Sequence, residues 1–389
     1  MTVTPLALHS PRALQATLGA HGWDAGVAAA AAGGLRPLAF HLTELDPETV
    51  EALVRLTGSL GLDILTGDGW AVLAGSRSRL GALARPWTVP PVLAPLATEI
   101  GLALPAEPVQ EWRTARGPVR LDRPAIMGIL NVTPDSFSDG GRYLGLEAAV
   151  AQAEALLEAG AGLLDIGGES TRPGRVEAVP TEVELARVLP VIDELARRFP
   201  QAILTIDTVK AEVGQAALEA GAAAVNDVTG FRLEPGLARV VARYGAGAVL
   251  MHSRGGILEL ASYTHAVYAD VVAEVVAELR IALQAATAAG IAPDAVALDP
   301  GLGFSKTPEQ TLTLFDQLEA LQALGRPLLV GPSRKRFLGT ATGGDVADRD
   351  QATAAACVLA WERGARIFRV HDVAAARQAL AVAQAVTGA

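Results

Sequence analysis

Residues 202–227 read Ala-Ile-Leu-Thr-Ile-Asp-Thr-Val-Lys-Ala-Glu-Val-Gly-Gln-Ala-Ala-Leu-Glu-Ala-Gly-Ala-Ala-Ala-Val-Asn-Asp. Ala202–Asp207 is a short apolar, β-branched run, the composition of a strand buried on both faces. Lys210–Ala220 is dense in good helix formers and stops at Gly221, the residue that best adopts a left-handed helix end. Ala223–Asp227 then returns to a short apolar run. Strand, helix and strand in this spacing predict a parallel β/α/β unit. Both apolar runs end in polar residues, Asp207 on the first and Asn226-Asp227 on the second.

The same alternation extends in both directions. Eight runs read as strands: Ala125–Asn131, Gly162–Ile166, Ala202–Asp207, Ala223–Asp227, Ala246–His252, Ala295–Asp299, Pro327–Gly331 and Arg366–Val370. Helical patterns lie between them, closing at Gly160, Gly221, Gly245, Gly290, Gly325 and Gly364. Thr181-Glu182-Val183-Glu184 and Thr307-Pro308-Glu309-Gln310 have the spacing of capping boxes. Residues 121–385 are close in length to the ~250 of a closed eight-fold barrel. A doubly wound open sheet would concentrate its chemistry at one switch point. Here every strand ends in polar residues, which predicts a TIM (β/α)8 barrel over residues 121–389. A small α/β accessory domain over residues 1–112 precedes it.

Acids and amides set directly after runs such as Leu-Thr-Ile are costly to bury unless they pair with one another or with a polar ligand. A barrel mouth collects them: Asn131, Asp165 and Glu169, Asp207, Asn226 and Asp227, His252, Asp299, Ser333-Arg334-Lys335, and Arg369-Val370-His371. Arg369 and His371 are two apart on a strand and share a face. With Lys335 and Arg334 they suit a multiply charged anion. Asp207, Asn226 and Asp299 are acceptors with one amide donor, suited to a flat heterocycle with several N–H groups, such as an aminopyrimidinone. Asn131 offers a neutral oxygen, and Mg²⁺ commonly takes few protein ligands beside substrate phosphates.

Composition excludes other classes. The chain of 389 residues has a formal net charge of −10, which argues against nucleic acid as a partner. The single cysteine, Cys357, rules out an intramolecular disulfide and a Cys-rich zinc site, and reads as a buried small hydrophobe. No run approaches the ~18 apolar residues of a membrane helix, and residues 1–10 lack the pattern of a signal peptide. The expectation is a cytoplasmic protein that acts on small molecules, with no membrane partner.

Before residue 110, Ala39–Leu42 reads as a strand and Asp46-Pro47 as a helix start. Asp63–Leu65 and Trp70–Leu73 pair across Gly67-Asp68-Gly69. Helices are expected near residues 76–84 and 92–102, and partly within residues 1–35. His21 and His41 are isolated, and no cluster of catalytic residue types forms there. Glu107–Arg113, running on to Gly117-Pro118, reads as a linker.

Several long segments resemble dihydropteroate synthase in order along the chain. They are Gly128–Gly141, Asp165–Gly174, Asp207-Thr208, Val225–Val228, Asp299–Phe304, Ser333–Lys335 and Arg369–Asp372. The resemblance covers roughly residues 121–385. It implies a barrel that condenses 6-hydroxymethyl-7,8-dihydropterin diphosphate with 4-aminobenzoate, releasing diphosphate. By motif, Asp207, Asn226, Asp299 and Lys335 hold the pterin. Asn131, Arg369 and His371 handle the diphosphate and its Mg²⁺, with Asn131 the metal ligand. Asp207, Lys335, Arg369 and His371 carry the catalysis. Thr171, Arg172, Pro173, Phe304 and Ser333 shape the aminobenzoate site, with Phe137 on a neighbouring loop. The glycine-rich segments Asp139–Gly141 and Gly167–Gly174 read as lids over the mouth. A homodimer and sulfonamide inhibition are implied in the same way. Ser253 and Ser305 depart from the residues expected at their motif positions. Two alternatives share the pterin acids: a methyltransferase's pterin-binding module and a non-catalytic paralogue.

Overall fold

The computed structural model describes residues 24, 26–27, 37–106, 108–133, 141–169, 177–343 and 349–387. His21, Phe137, Thr171, Arg172, Pro173 and the helix expected within residues 1–35 lie outside the described residues, apart from Asp24, Gly26 and Val27 of the last. The chain divides into two compact units, Met1–Ala106 and Glu107–Thr387.

The first unit has a three-stranded antiparallel sheet in the order β1-β3-β2: β1 (Pro37–Thr43), β2 (Asp63–Gly67) and β3 (Trp70–Ser76). Helix α1 (Pro47–Leu60) follows β1; Asp46 caps it by accepting from the Thr49 amide at 2.8 Å, and Gly61 closes it in the left-handed conformation. Helices α2 (Arg77–Leu83) and α3 (Ala94–Ala103) complete the unit. Leu53, Leu73, Leu80, Leu83 and Leu93 are sealed in its core.

The second unit is a closed, all-parallel barrel. Its strands run in chain order around the ring: β6 (Ala125–Asn131), β7 (Leu163–Gly167), β8 (Ile203–Asp207), β9 (Ala224–Asp227), β10 (Gly247–Met251), β11 (Val296–Asp299), β12 (Leu328–Val330) and β13 (Ala365–Val370). All eight lie where the apolar runs predict them. The outer ring comprises α4 (Gly141–Glu158), α5 (Thr181–Arg198), α6 (Ala211–Glu219), α7 (Gly236–Tyr244), α8 (Val271–Ala288), α9 (Pro308–Asp316), α10 (Arg336–Thr342), α11 (Asp350–Glu362) and α12 (Val373–Thr387). Among the described residues, no helix is long and apolar enough to cross a membrane.

Strand alternation divides the apolar residues into two cores. Ile126, Leu130, Leu164, Ile166, Leu204, Ile206, Val225 and Phe368 point outward and pack with the helices. Cys357 lies in this outer core, and burial pushes its thiol up to about 12. Ala125, Met127, Leu163, Ala224, Val249, Ala297, Leu329 and Ile367 point inward and fill the lower barrel. One strand repeat further up, the inward residue turns polar on five strands: Leu163 gives way to Asp165, Ile203 to Thr205, Ala224 to Asn226, Ala297 to Asp299 and Ile367 to Arg369.

Three expectations are corrected. The segment read as a linker is a hairpin of this unit, β4 (Glu111–Thr114) paired with β5 (Gly117–Arg120). Trp112 and Val119 join the inward core, and the Trp112 indole N–H donates to the Ala295 carbonyl at 2.9 Å, so the hairpin closes the barrel floor. The box at Thr181 does not form: Pro180 occupies the cap position with no side-chain bond, and Glu184 instead pairs with Lys210. The box at Thr307 does form, with both reciprocal bonds to Gln310. Its helix, however, stops at Asp316, and a tighter 3₁₀ turn over Leu318–Leu324 leads to Gly325.

Candidate active site

Strand register brings the site together. Asn131 pairs with Gly167, Gly167 with Asp207, and Asp207 with Asn226, so four neighbouring strands end in one row. Gly167 keeps that row open. A side chain there would begin 3.8 Å from the Asn131 amide oxygen and 3.6 Å from Asp207 Cβ. Beneath the row sits Asp165, fully buried. One of its oxygens accepts from the Thr205 hydroxyl; the other accepts from Asn226 Nδ2 at 2.9 Å and from Arg369 Nε at 2.6 Å. Arg369 Nη2 donates to Asp207 at 2.8 Å.

Two carboxylates therefore share one guanidinium, and the electrostatics follow. Burial pushes the Asp207 carboxyl well above its ordinary range; Arg369 pulls it back and Asp165 adds to the push. Burial works against the charge on Arg369, yet Asp165 and Asp207 hold it above its ordinary value. Burial also raises Asp299, opposed by Lys335 and by the Gly301 amide, which donates to it at 2.7 Å.

Lys335 comes from the turn after β12. Its ammonium donates to the Leu302 carbonyl at 2.5 Å and lies 4.2 Å from the centre of the Phe304 ring. Burial lowers it to about 8, against the attraction of Asp299 and with repulsion from Arg369. The turn reverses at Arg334, a non-glycine residue in the left-handed region at φ 57°. That reversal leaves Ser333 and Lys335 at the mouth and turns Arg334 outward, where it makes a two-pronged ion pair with Asp350 at 2.9 and 2.8 Å. Ser333 bonds the His371 ring at 2.9 Å and accepts from the His371 amide at 3.2 Å.

The expected set is thus partly rearranged. Asn131, Asp207, Asn226, Asp299, Ser333, Lys335, Arg369 and His371 gather at the strand ends, and Phe304 lies beside Lys335. Arg334 does not belong to an anion pocket, and Arg369 is clasped by two carboxylates. β13 stops at Val370, so His371 stands just beyond it. Asp227 faces away from the mouth and caps a turn through the Thr229 and Phe231 amides at 2.7 and 3.0 Å. Ser253 donates to the Val228 carbonyl and Ser305 to the Arg254 carbonyl, both at 2.7 Å, so these two departures serve loop structure. Asp165 is read from the sequence only as one of the polar residues at the mouth; its central role comes from the three side chains that meet on it. The buried Lys306 was not anticipated, because a lysine just before a helix cap ordinarily lies in water. Among the described residues, no three His, Cys, Asp or Glu side chains are grouped to hold a metal.

Residues 127–371 match the family model described as pterin binding enzyme. The dihydropteroate synthase of Mycobacterium leprae is 47% identical over 263 residues, covering 66% of this chain and 91% of that protein. This chain belongs to the dihydropteroate synthase family. The crystal structure of the Xanthomonas albilineans family member with 4-aminobenzoic acid is 47% identical, with a TM-score of 0.67, covering 72% of this chain and 99% of that one. The Yersinia pestis family member, solved with a sulfonamide drug, is 39% identical with a TM-score of 0.66, covering 72% of this chain and 99% of that one. The family match begins at residue 127, so the Met1–Ala106 unit lies outside it.

Proposed function

We infer that this chain is a transferase that condenses 6-hydroxymethyl-7,8-dihydropterin diphosphate with 4-aminobenzoate, releasing diphosphate and forming 7,8-dihydropteroate for folate synthesis. The likeness to dihydropteroate synthases, which spans nearly their whole length, supports this reading. The observation that carries it is the Asn131–Gly167–Asp207–Asn226 row standing over the Asp165–Arg369 pair.

In this reading, Asp207, Asn226 and Asp299 receive the N–H edge of the pterin and Lys335 faces its carbonyl side. Arg369 and His371 receive the diphosphate, with His371 oriented by Ser333. Phe304 and Ser333 border the aminobenzoate site, completed by Thr171, Arg172, Pro173 and Phe137 on motif grounds. Asn131, whose amide oxygen lies beside the side-chain-free Gly167, would hold Mg²⁺ as a neutral oxygen ligand. Bound there, the ion supplies positive charge at the leaving group.

The methylene C–O bond breaks and its electron pair leaves with the diphosphate, toward Arg369 and His371. Positive charge grows on the methylene carbon, and the carboxylates of the mouth, Asp207 above all, stabilise it. The lone pair of the arylamine closes the C–N bond, and the nitrogen then sheds a proton. A methyltransferase module would share the pterin acids but has no use for the diphosphate side. The assembly we propose is a cytoplasmic homodimer, to be checked by sedimentation.

Mixing the pterin diphosphate, 4-aminobenzoate and Mg²⁺ with the protein is expected to release diphosphate together with pteroate. Release that depends on neither aminobenzoate nor Mg²⁺ overturns the mechanism. A sulfonamide should compete with aminobenzoate and not with the pterin.

A further inference from the structure

We infer that Lys306 is a positioning residue for Lys335: from beneath the loop joining β11 to α9, it holds that loop in the one shape that can carry the Lys335 ammonium.

The shape of this loop is strained. Gly301, Gly303 and Ser305 all lie in the left-handed region, at φ 67°, 76° and 48°. Gly301 passes so close to the end of β10 that a side chain there would begin 2.0 Å from the His252 carbonyl oxygen. Strain of this kind persists only where the surroundings over-determine it.

Lys306 supplies that determination. It is buried to 1% exposure, and among the described residues its bonds go to no carboxylate. Its ammonium instead meets three acceptors: the Gly301 carbonyl at 3.2 Å, the Phe304 carbonyl at 3.1 Å and His252 Nδ1 at 2.8 Å. The two carbonyls flank Leu302. On the upper side of the same loop, the Leu302 carbonyl and the Phe304 ring hold Lys335. The lower lysine thus fixes the two groups that fix the upper one.

His252 can accept because burial and the nearby Lys306 charge lower it to about 4, leaving it neutral. Its Nε2 then donates to Glu278 at 3.0 Å. Burial opposes the charge on Glu278, but bonds from His252 and Arg254 hold it down to about 2. Arg254 lies 3.9 Å from the Tyr268 ring centre, and the Tyr268 hydroxyl donates to the Ser305 carbonyl at 3.1 Å. The loop is therefore tied at Ser305 to the segment that leads into α8 as well as to Lys306. A buried lysine that spends two of its three bonds on one loop is costly to keep for packing alone.

The inference rests on the reading of Lys335 as a pterin contact, and a double-mutant cycle separates the two. Affinity for the pterin diphosphate is measured by calorimetry, without aminobenzoate, for the wild type, Lys306→Met, Lys335→Met and the double variant. Lys335→Met is expected to weaken binding about 100-fold, and Lys306→Met about tenfold. The double variant should bind within about threefold of Lys335→Met alone. Lys306→Gln, which keeps two N–H donors, should lie between Lys306→Met and the wild type, and it carries the test if the methionine variant does not fold. Amide exchange should quicken over residues 299–306 in Lys306→Met and stay unchanged over residues 203–207. Wild-type affinity in Lys306→Met, or losses that multiply in the double variant, overturns the inference. Wild-type affinity in Lys335→Met overturns the pocket assignment instead.

Discussion

The two ends of this barrel are built from the same eight strands and do opposite things. At the floor, inward residues such as Met127, Leu163, Val249 and Ile367 pack against Trp112 and exclude water. One or two strand repeats higher, the inward positions become Asp165, Asn226, Asp299 and Arg369, with Asn131 and Asp207 at the rim. The floor gains free energy from burial, whereas the mouth holds charges that burial pushes away from their ordinary pKa values. The difference teaches that stability and chemistry share one inward face, set by the period-two alternation, and are separated by height along the strand axis.

The comparison is most sharply tested at the mouth. Lys335→Ala and Asp207→Ala should each lower kcat/KM by about 10³-fold or more, an effect of roughly 4 kcal/mol. Lys335→Ala should leave the urea midpoint unchanged or raise it, because it removes a buried charge. Full turnover by either variant would dissolve the distinction between the ends. Trp112→Ala should do the reverse, costing about 3–5 kcal/mol in urea unfolding while the remaining folded enzyme keeps its kcat/KM. A kcat loss at full folding would mean the floor reaches the mouth.

A smaller effect is expected from pH. Lys335 is a cation below about pH 8 and neutral above it. Pterin affinity should therefore fall as pH rises through 8, about tenfold for each further unit if only the charged form binds. Lys335→Arg should remove that limb from the binding profile; a limb that stays belongs to another group. Smallest of all, Thr307→Ala should cost about 1 kcal/mol of stability by deleting the α9 cap, with no change in kinetics.

Much of the site was legible because chemistry and period coincide. Asp207, Asn226 and Asp299 follow apolar runs, and their places in the row come from pairing register between strands. Arg334 and Lys335 are adjacent in the chain and look equivalent. A single left-handed residue sends one to Asp350 and the other to the mouth. Arg369 reads as a rim cation, yet it sits between two carboxylates contributed by two other strands.

By itself, the sequence determined the eight-fold alternation, the strand positions and the kinds of residue that end each strand. These are local properties, set by propensity, alternation and the glycines that stop helices. Tertiary structure alone decided the rest. The hairpin around Trp112 shows too short an alternation to be distinguished from a linker, and it becomes a floor only because a closed barrel leaves an apolar end to cover. Thr181 and Thr307 open similar patterns, but Glu184 is taken by Lys210 on a neighbouring unit while Gln310 remains for its own helix. Lys306 is buried beneath a strained loop; its bonds to that loop are local, but the bond to His252, just past β10, joins residues 54 apart in the chain, which no local window of sequence contains. In each case, the deciding energy is a pairing between residues far apart in the chain, and folding supplies the partner.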